Sequence, residues 1–324
     1  MMNTEKSKTT EGKAIKNRRT LLDRRMDKIL AQEEQGRNST RLTSRTMRKV
    51  LSNKLAVIGA ALFLIICILC FAAPLFTRYP PTQISLKERA AAPSTTHIFG
   101  TDQMGRDIWS RMLYGGRVSI LVGLGSALGS ALIGVTLGML AGYKGGWLDK
   151  IILKISDLFL SIPQLVLIII MVALVGQSLE NIILIFILTG WPSMYRMARS
   201  KVLSLKEEEF VQALKAFGVS DIKITFKHML PNAIGPIVVN ITLSTAMFIL
   251  QEASLSVLGY GVPQTVSTWG NIINVIANAG TIRYDWLGIW WYYVPCAAML
   301  VLFVLSINFI GDGLRDASDP TQIG

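Results

Sequence analysis

The chain is 324 residues long, 51% of them hydrophobic and only 17% charged, and its formal net charge is +12. A soluble domain usually has about 25% charged residues, so this composition excludes an ordinary soluble protein. Because the basic residues lie mainly at the N-terminus and in stretches between apolar runs, they favour a membrane protein with basic cytoplasmic segments over a nucleic-acid-binding protein.

The first elements are a basic tail and an apolar run. Residues 1–54 are polar, rich in Lys and Arg and poor in aromatic residues, which predicts a tail rather than a packed domain. Residues 55–76 contain no charged residue and are long enough to cross about 30 Å of hydrocarbon. The basic residues before this span predict a cytoplasmic N-terminus. Cys67 and Cys70 lie inside the run, where packing is favoured over redox chemistry.

Residues 77–116 are predicted to be extracellular, although they carry several basic residues. The stretch from His97 to Asp107 reads His-Ile-Phe-Gly-Thr-Asp-Gln-Met-Gly-Arg-Asp. Its glycines and charged residues predict a tight turn, held by ion pairs and leading into an amphipathic helix. His97 has no second imidazole nearby, so a metal site is not favoured. This string resembles the signature of the peptide and nickel subfamily of ABC permeases. The matching residues are Phe99, Gly100, Thr101, Asp102, Gly105, Arg106 and Asp107.

Two spans follow, at about 118–142 and 151–175. Glycines recur at four-residue spacing in the first, and small residues on one face let helix backbones approach closely in a membrane. These glycines are Gly125, Gly129, Gly134, Gly138 and Gly142. In the second, Pro163 predicts a kink, and Lys154 is expected to pair with Asp157 near the cytoplasmic interface. Ionisable residues inside a span also leave open a role in a transport pathway.

The remaining spans are predicted at 181–197, 236–259 and 286–309. Basic residues follow the fourth span, so the loop 198–235 is predicted to be cytoplasmic. Residues 260–286 are then external, with a helix beginning near Trp269. The loop charges agree with six spans and both ends in the cytoplasm, residues 314–324 forming the C-terminal tail.

The cytoplasmic loop contains a polar interruption at 207–232. Phe210, Leu214 and Phe217 share one helical face, and Gly218 stands at the C-cap position. A second short helix is predicted to start at Ser220 and to end before Pro231. Such a hairpin needs a groove in a partner to bury its apolar stripe. The alternative is an amphipathic helix that docks on its own protein.

This hairpin resembles the cytoplasmic loop of ABC-importer permeases that docks on the ATPase subunit. Gln212-Ala213-Leu214 stands where the family has Glu-Ala-Ala, and Gly218 and Leu230-Pro231 are in register. The missing glutamate removes one family contact. The resemblance assigns the coupling role to Glu209, Phe210, Gln212, Ala213, Leu214, Phe217, Gly218, Leu230 and Pro231.

The resemblance covers about residues 50–320, since stretches at 252–270 and 308–320 also match the family. It implies an all-α integral membrane protein with the type I ABC importer permease fold, its core at 117–313. It further implies oligopeptide or dipeptide import across the bacterial cytoplasmic membrane. The implied partners are a homologous second permease, two ATPase subunits that bind ATP and Mg, an extracellular substrate-binding protein and membrane lipid.

No catalytic constellation is visible in the chain. It contains no G-x-x-x-x-G-K-[ST] loop, no HExxH and no GxSxG, and its two histidines are far apart. We therefore expect no catalytic residue, no metal, no cofactor bound by this chain and no nucleic acid. Three alternatives stay open: a permease for nickel or another small solute, a secondary transporter or channel without an ATPase, and a membrane scaffold or sensor whose tail binds lipid or nucleic acid.

Overall fold

The computed structural model describes residues 50–278 and 286–318. The predictions for most of the N-terminal tail, for residues 279–285 and for residues 319–324 lie outside this part of the chain. The protein divides into two units, residues 1–52 and residues 53–324, and every element named below belongs to the second unit. Helices make up nearly all of its regular structure, as the composition predicts.

In the described part of the chain ten α-helices follow one another, with short 3₁₀ helices at Leu86–Glu88 and Trp286–Tyr292. The helix Asp221–Val257, numbered α8 in the next sentence, contains a π-helical stretch, Ile224–Met229. The helices are α1 (Lys54–Phe71), α2 (Ala73–Phe76), α3 (Ile108–Lys144), α4 (Gly146–Ser161), α5 (Gln164–Val175), α6 (Leu179–Lys206), α7 (Glu209–Ala216), α8 (Asp221–Val257), α9 (Trp269–Asn278) and α10 (Val294–Ser318).

Four of these helices, α1, α3, α8 and α10, are long and apolar enough to cross a membrane. Helices α4 and α5 together reach the same length and composition, but the chain bends by 90° between them. Ile162 and Pro163 are extended there, so the predicted kink at Pro163 is a complete break. Helix α6 is 28 residues long but is not among the apolar candidates, because polar residues and Pro192 interrupt it.

Helices α3 and α6 lie side by side and run in the same direction. Gly134 of α3 faces the backbone of Trp191, and Gly138 faces the backbone of Tyr195, one turn further along both helices. A Cβ at Gly138 would lie 2.7 Å from the Tyr195 carbonyl oxygen, so only glycine permits this approach. Since the two helices are parallel, the chain between them must return along the length of the bundle through α4 and α5.

The other glycines of the α3 pattern differ in their surroundings. Gly142 faces Val202 and Arg199 of α6, and Gly129 faces the side chain of Ile187. Gly125 departs from the prediction, because a Cβ there would meet no atom within 4 Å. The helix turns this residue away from the rest of the chain, so it has no packing role in the described contacts.

The remaining long helices alternate in direction. Helix α8 runs antiparallel to α3, since Ser119 near the start of α3 meets Glu252 near the end of α8. Helix α10 runs antiparallel to α8, with Gly311 beside Thr242. Helix α1 runs antiparallel to α10, and the Asn53 amide donates to Asp316 over 3.4 Å. The start of α1 and the end of α10 therefore lie at the same end of the bundle as the start of α8.

One boundary prediction is wrong. The helix that starts at Asp221 does not end before Pro231 but continues through it to Val257. The π-helical turn just before the proline explains this, because the Leu230 N–H bonds to the Thr225 carbonyl, five residues back. Proline ordinarily clashes with the carbonyl four residues earlier, and the wider turn relieves that clash.

Candidate functional site

The hairpin at 207–232 is built on a tight glycine turn. Helix α7 is followed by Gly218, whose φ of 72° is favourable only for glycine. The Gly218 N–H donates to the Lys215 carbonyl over 3.0 Å, and the Val219 N–H donates to the Leu214 carbonyl over 3.1 Å. This pair of bonds is a Schellman motif, and Val219 and Leu214 pack in the same apolar cluster. The sequence placed this turn correctly.

The apolar face of α7 packs mainly on this chain. Val211 is buried in a cluster with Met139 of α3, Val202 of α6 and Met229 of α8. Phe210, Leu214 and Leu230 are partly buried and pack on the same cluster. The prediction that the whole stripe waits for a partner groove is therefore wrong, and self-docking describes these side chains better. Helix α7 is therefore packed on the bundle.

The tip of the hairpin carries exposed apolar side chains. Phe217 is 56% exposed and Ile222 is 65% exposed, on either side of Gly218. Glu209, Gln212 and Pro231 are exposed, and Ala213 is half-buried. The Gln212 side chain donates to the Glu207 carbonyl over 3.2 Å. The hairpin thus presents two large apolar side chains on a rigid turn.

At the opposite end of α3, Asp102 organises the predicted external turn. One carboxylate oxygen accepts from the N–H groups of Met104 and Arg106, at 2.8 and 2.9 Å. The other accepts from the Arg106 Nε at 2.7 Å and from the Arg111 guanidinium. The buried Arg111 belongs to α3 and fixes the turn on that helix. The sequence motif ends at Asp107 and gives no signal for this role of Arg111.

Asp107 begins α3 as its N-cap residue. Its side chain accepts from the Ser110 N–H over 2.8 Å, while its other oxygen lies 2.8 Å from the Nδ1 of His97. Gly100 and Gly105 have φ values of 68° and 72°, which the turn requires. The other motif residues are close by: Thr101 bonds to the backbone of Glu88 and Ala91, and Phe99 contacts the Trp109 ring.

A second buried polar cluster joins α3, α8 and the residues before α9. Glu252 is fully buried and accepts hydrogen bonds from Ser256 at 2.9 Å, Thr268 at 2.8 Å and Ser119 at 3.4 Å. The Ser119 hydroxyl also accepts from the Trp269 N–H at 3.1 Å. A glutamate inside the predicted span 236–259 is the sequence signal for this cluster. It fixes residues 268–269 on the bundle.

Tyr292 lies beside Asp102, at the end of the bundle opposite the hairpin. The side chain is 3% exposed and lines a small cavity with Asp102 and Arg111. Burial, with a smaller contribution from the Asp102 carboxylate, raises the pKa of the Tyr292 phenol to about 12. The phenol therefore stays neutral at physiological pH.

Two ion pairs join α4 to α6. The Asp149 carboxylate accepts hydrogen bonds from Nε and from a terminal nitrogen of Arg199, each at 2.6 Å. It also accepts one from the Tyr195 hydroxyl at 3.0 Å. Asp157 bonds to Arg196 of α6 at 2.5 Å. The expected pairing of Asp157 with Lys154 is therefore wrong, since a guanidinium on the neighbouring helix reaches the carboxylate.

No metal site is evident in the described ranges. Residues 50–278 and 286–318 contain no group of three or more His, Cys, Asp and Glu side chains that could hold a metal ion.

Long apolar helices and a broken span define an integral membrane protein. The chain belongs to the family described as binding-protein-dependent transport system inner membrane components, whose family model matches residues 134–323. Residues 41–93 also match the N-terminal transmembrane domain of oligopeptide transport permease C. The resemblance to ABC importer permeases is confirmed, and the chain is a multi-pass protein of the cytoplasmic membrane.

Similar curated proteins come from bacteria. The oligopeptide transport system permease protein OppC of Bacillus subtilis is 37% identical over 288 residues, covering 89% of this chain and 92% of that protein. The dipeptide transport system permease protein DppC of the same organism is 38% identical over 284 residues, covering 88% and 87%. DppC of Alkalihalophilus pseudofirmus is 38% identical over 273 residues, covering 84% and 88%.

The fold is also similar to a solved transporter. An inward-facing structure of the MetNI methionine ABC transporter gives a TM-score of 0.52 at 22% identity, covering 64% of this chain and 96% of that chain. At this identity the likeness supports the fold alone.

Proposed function

We propose that this chain is a permease subunit of an ATP-driven importer that moves oligopeptides or dipeptides across the bacterial cytoplasmic membrane. The observation that carries the proposal is the 37–38% identity, over most of the chain, to proteins named as oligopeptide and dipeptide permeases. ATP and Mg bind to partner ATPase subunits, and this chain supplies the passage.

We infer six membrane crossings with both ends in the cytoplasm. The alternating directions of α1, α3, the α4–α5 pair, α6, α8 and α10 support this count. Helix α6 is too polar to qualify alone, but it packs against α3 along much of its length. The hairpin end carries Arg196, Arg199, Lys201 and Lys206, and basic residues favour the cytoplasmic side.

The hairpin is the proposed contact with an ATPase subunit. Phe217 and Ile222 are the large apolar groups free to enter a groove in that partner. Since Val211 anchors α7 in a cluster shared by α3, α6 and α8, a displacement of the hairpin would move those helices together. A homologous second permease completes the passage. An extracellular binding protein would deliver substrate at the turn around Asp102.

The test is reconstitution of the assembled transporter. Phe217→Asp is expected to abolish co-purification of the ATP-hydrolysing subunit and ATP-dependent peptide uptake, because a buried carboxylate opposes docking in an apolar groove. Leu86→Asp is the matched control, since Leu86 is 74% exposed at the opposite end of the bundle. Peptide uptake by this chain without an ATPase, or normal uptake by Phe217→Asp, would contradict the proposal.

A further inference from the structure

Helix α4 carries a row of polar side chains along one exposed face. Lys150, Lys154, Asp157 and Ser161 follow one another at spacings of four, three and four residues, which places them on one side of a helix. All four are exposed in this chain. Another side of α4 is packed, with Ser156 buried and Phe159 against Trp191 of α6. We call the four residues the α4 stripe.

The stripe ends at the break between α4 and α5. Ser161 and Pro163 are exposed, Ile162 is 37% exposed, and the backbone at Ile162 and Pro163 is extended. Backbone that is not helical cannot face lipid at membrane depth, because hydrocarbon offers no hydrogen-bond partner. The exposed side of the break must therefore meet protein or a water-filled space.

The break lies about halfway along the length of the bundle. Before it, Phe159 packs on Trp191, with ring centroids 5.9 Å apart. After it, Ile168 of α5 packs in one cluster with Phe186 of α6. The break is therefore level with the middle of α6, so the stripe leads from the hairpin end of the bundle to its interior. Charged residues at this depth ordinarily face a cavity or a partner rather than lipid.

Two amide side chains stand at the inner end of the stripe. Gln164 is the first residue of α5, and its Oε1 accepts from the Nε2 of Gln251 on α8 over 3.0 Å. The Oε1 of Gln251 is buried and makes no hydrogen bond within the described part of the chain. Buried amide oxygens normally have a donor, so this one is suited to an N–H group that comes from outside the chain.

We propose that the α4 stripe forms a wall of the inner half of the transport passage, and that Gln164 and Gln251 bind the backbone of a passing peptide at the break. The peptide part of this inference rests on the proposed function. A peptide backbone offers an N–H donor to the free Gln251 oxygen, whatever its side chains. The stripe then gives the peptide polar contacts on its way to the cytoplasm.

Cysteine labelling tests the passage. In the complete transporter, with Cys67, Cys70 and Cys296 replaced by Ala, we compare Ser161→Cys with Ile155→Cys. Ile155 is 44% exposed on the same helix, but about 120° around it and nearer the cytoplasmic end. A water-soluble maleimide is applied from the cytoplasmic side. If depth alone controlled access, Ile155→Cys would react faster.

We expect Ser161→Cys to react at least about tenfold faster, because the thiolate is the reactive form and only a water-lined site allows it to form. Saturating peptide, supplied through the binding protein, is expected to slow this reaction. Equal labelling of the two cysteines, or faster labelling of Ile155→Cys, would overturn the passage and indicate a face packed on the second permease.

Peptide kinetics test the amide pair separately. Gln251→Met keeps the side-chain length but removes the hydrogen bonds, and it is expected to raise the KM of peptide uptake severalfold. Leu250→Met, at the neighbouring 43% exposed position, is the control and is expected to leave KM unchanged. An unchanged KM in Gln251→Met would overturn the peptide contact. Rapid labelling of Ser161→Cys in a transporter that imports another solute would support the passage and refute the peptide assignment.

Discussion

Single residues fix the geometry at both ends of the bundle. At Gly218 the backbone adopts a φ of 72°, and a Cβ there would meet no atom within 4 Å. The glycine is therefore required by backbone conformation and not by space. At Asp102 one carboxylate receives two backbone N–H groups and two guanidinium groups, so it orders a turn that has little apolar surface to bury.

The effect of a substitution at Gly218 should depend on how readily the new residue adopts a positive φ. Gly218→Ala is expected to destabilise the hairpin by about 1 kcal/mol. Gly218→Asn should be milder than Gly218→Val, because Asn tolerates positive φ better than a β-branched residue. Gly218→Pro should abolish coupled transport with membrane insertion intact, since proline fixes φ at a negative value. The measurements are ATP-dependent uptake and the amount of protein in the membrane.

Gly125→Ala is the control for these variants. Gly125 is helical and has open space around it, so the substitution is expected to be neutral or slightly stabilising. Uptake that does not distinguish Gly218→Asn from Gly218→Val would show that the left-handed turn is not needed for coupling.

Among the elements, the pairing of α4 with α6 connects the hairpin to the broken span. Helix α6 leads directly into the hairpin, and Arg199 near its end holds Asp149 in the first turn of α4 through two hydrogen bonds. The far end of α4 is the break at Pro163. A movement of the hairpin would therefore reach the break through this ion pair.

Breaking the Asp149–Arg199 ion pair should uncouple the hairpin from the break at Pro163. Asp149→Asn is expected to cost about 2 kcal/mol of local stability, because it removes a charge-assisted contact. Peptide uptake should fall more than ATP hydrolysis does. Arg199→Lys should also be impaired, since an ammonium group cannot form the two-pronged contact. The measured quantity is the number of peptides imported per ATP hydrolysed.

The exchanged double variant, Asp149→Arg with Arg199→Asp, is the control for charge. It should recover part of the transport ratio if the ion pair itself carries the coupling. A transport ratio that stays normal in Asp149→Asn would show that α4 follows α6 by apolar packing alone.

At the scale of the whole molecule, the directions of the long helices decide which segments lie at the same end of the bundle. Because α3 and α6 are parallel, the chain between them must cross back along the length of the bundle. It does so through α4 and α5, which are separated by a 90° bend. The hairpin and the Asp102 turn then lie at opposite ends of the bundle, so partners that bind them would meet opposite sides of the membrane.

Labelling in intact cells checks this orientation. Thr265 follows α8 and Lys215 lies in α7, and both are exposed. In a chain without its native cysteines, Thr265→Cys should react with an impermeant thiol reagent from outside. Lys215→Cys should react only after the membrane is opened. The reverse pattern would place the hairpin outside the cell and refute the proposed contact with an ATPase.

The sequence alone determined the features that depend on neighbouring residues. Runs of apolar residues predict membrane helices because the bilayer has a fixed thickness. Pro163 predicts a kink, which the structure turns into a break, and Gly218 predicts the turn. Proline restricts the backbone to negative φ, and glycine allows positive φ. The motif from Phe99 to Asp107 likewise holds most of the groups that form its own turn.

Only the tertiary structure decided which distant groups meet. Asp157 pairs with Arg196, 39 positions away, instead of with its helical neighbour Lys154. Glu252 bonds to Ser119 across 133 positions, and α7 buries Val211 on its own chain. Side-chain choices of this kind depend on helix rotation and on the relative height of neighbouring helices. Those quantities are set by packing of the whole bundle, and local periodicity does not contain them.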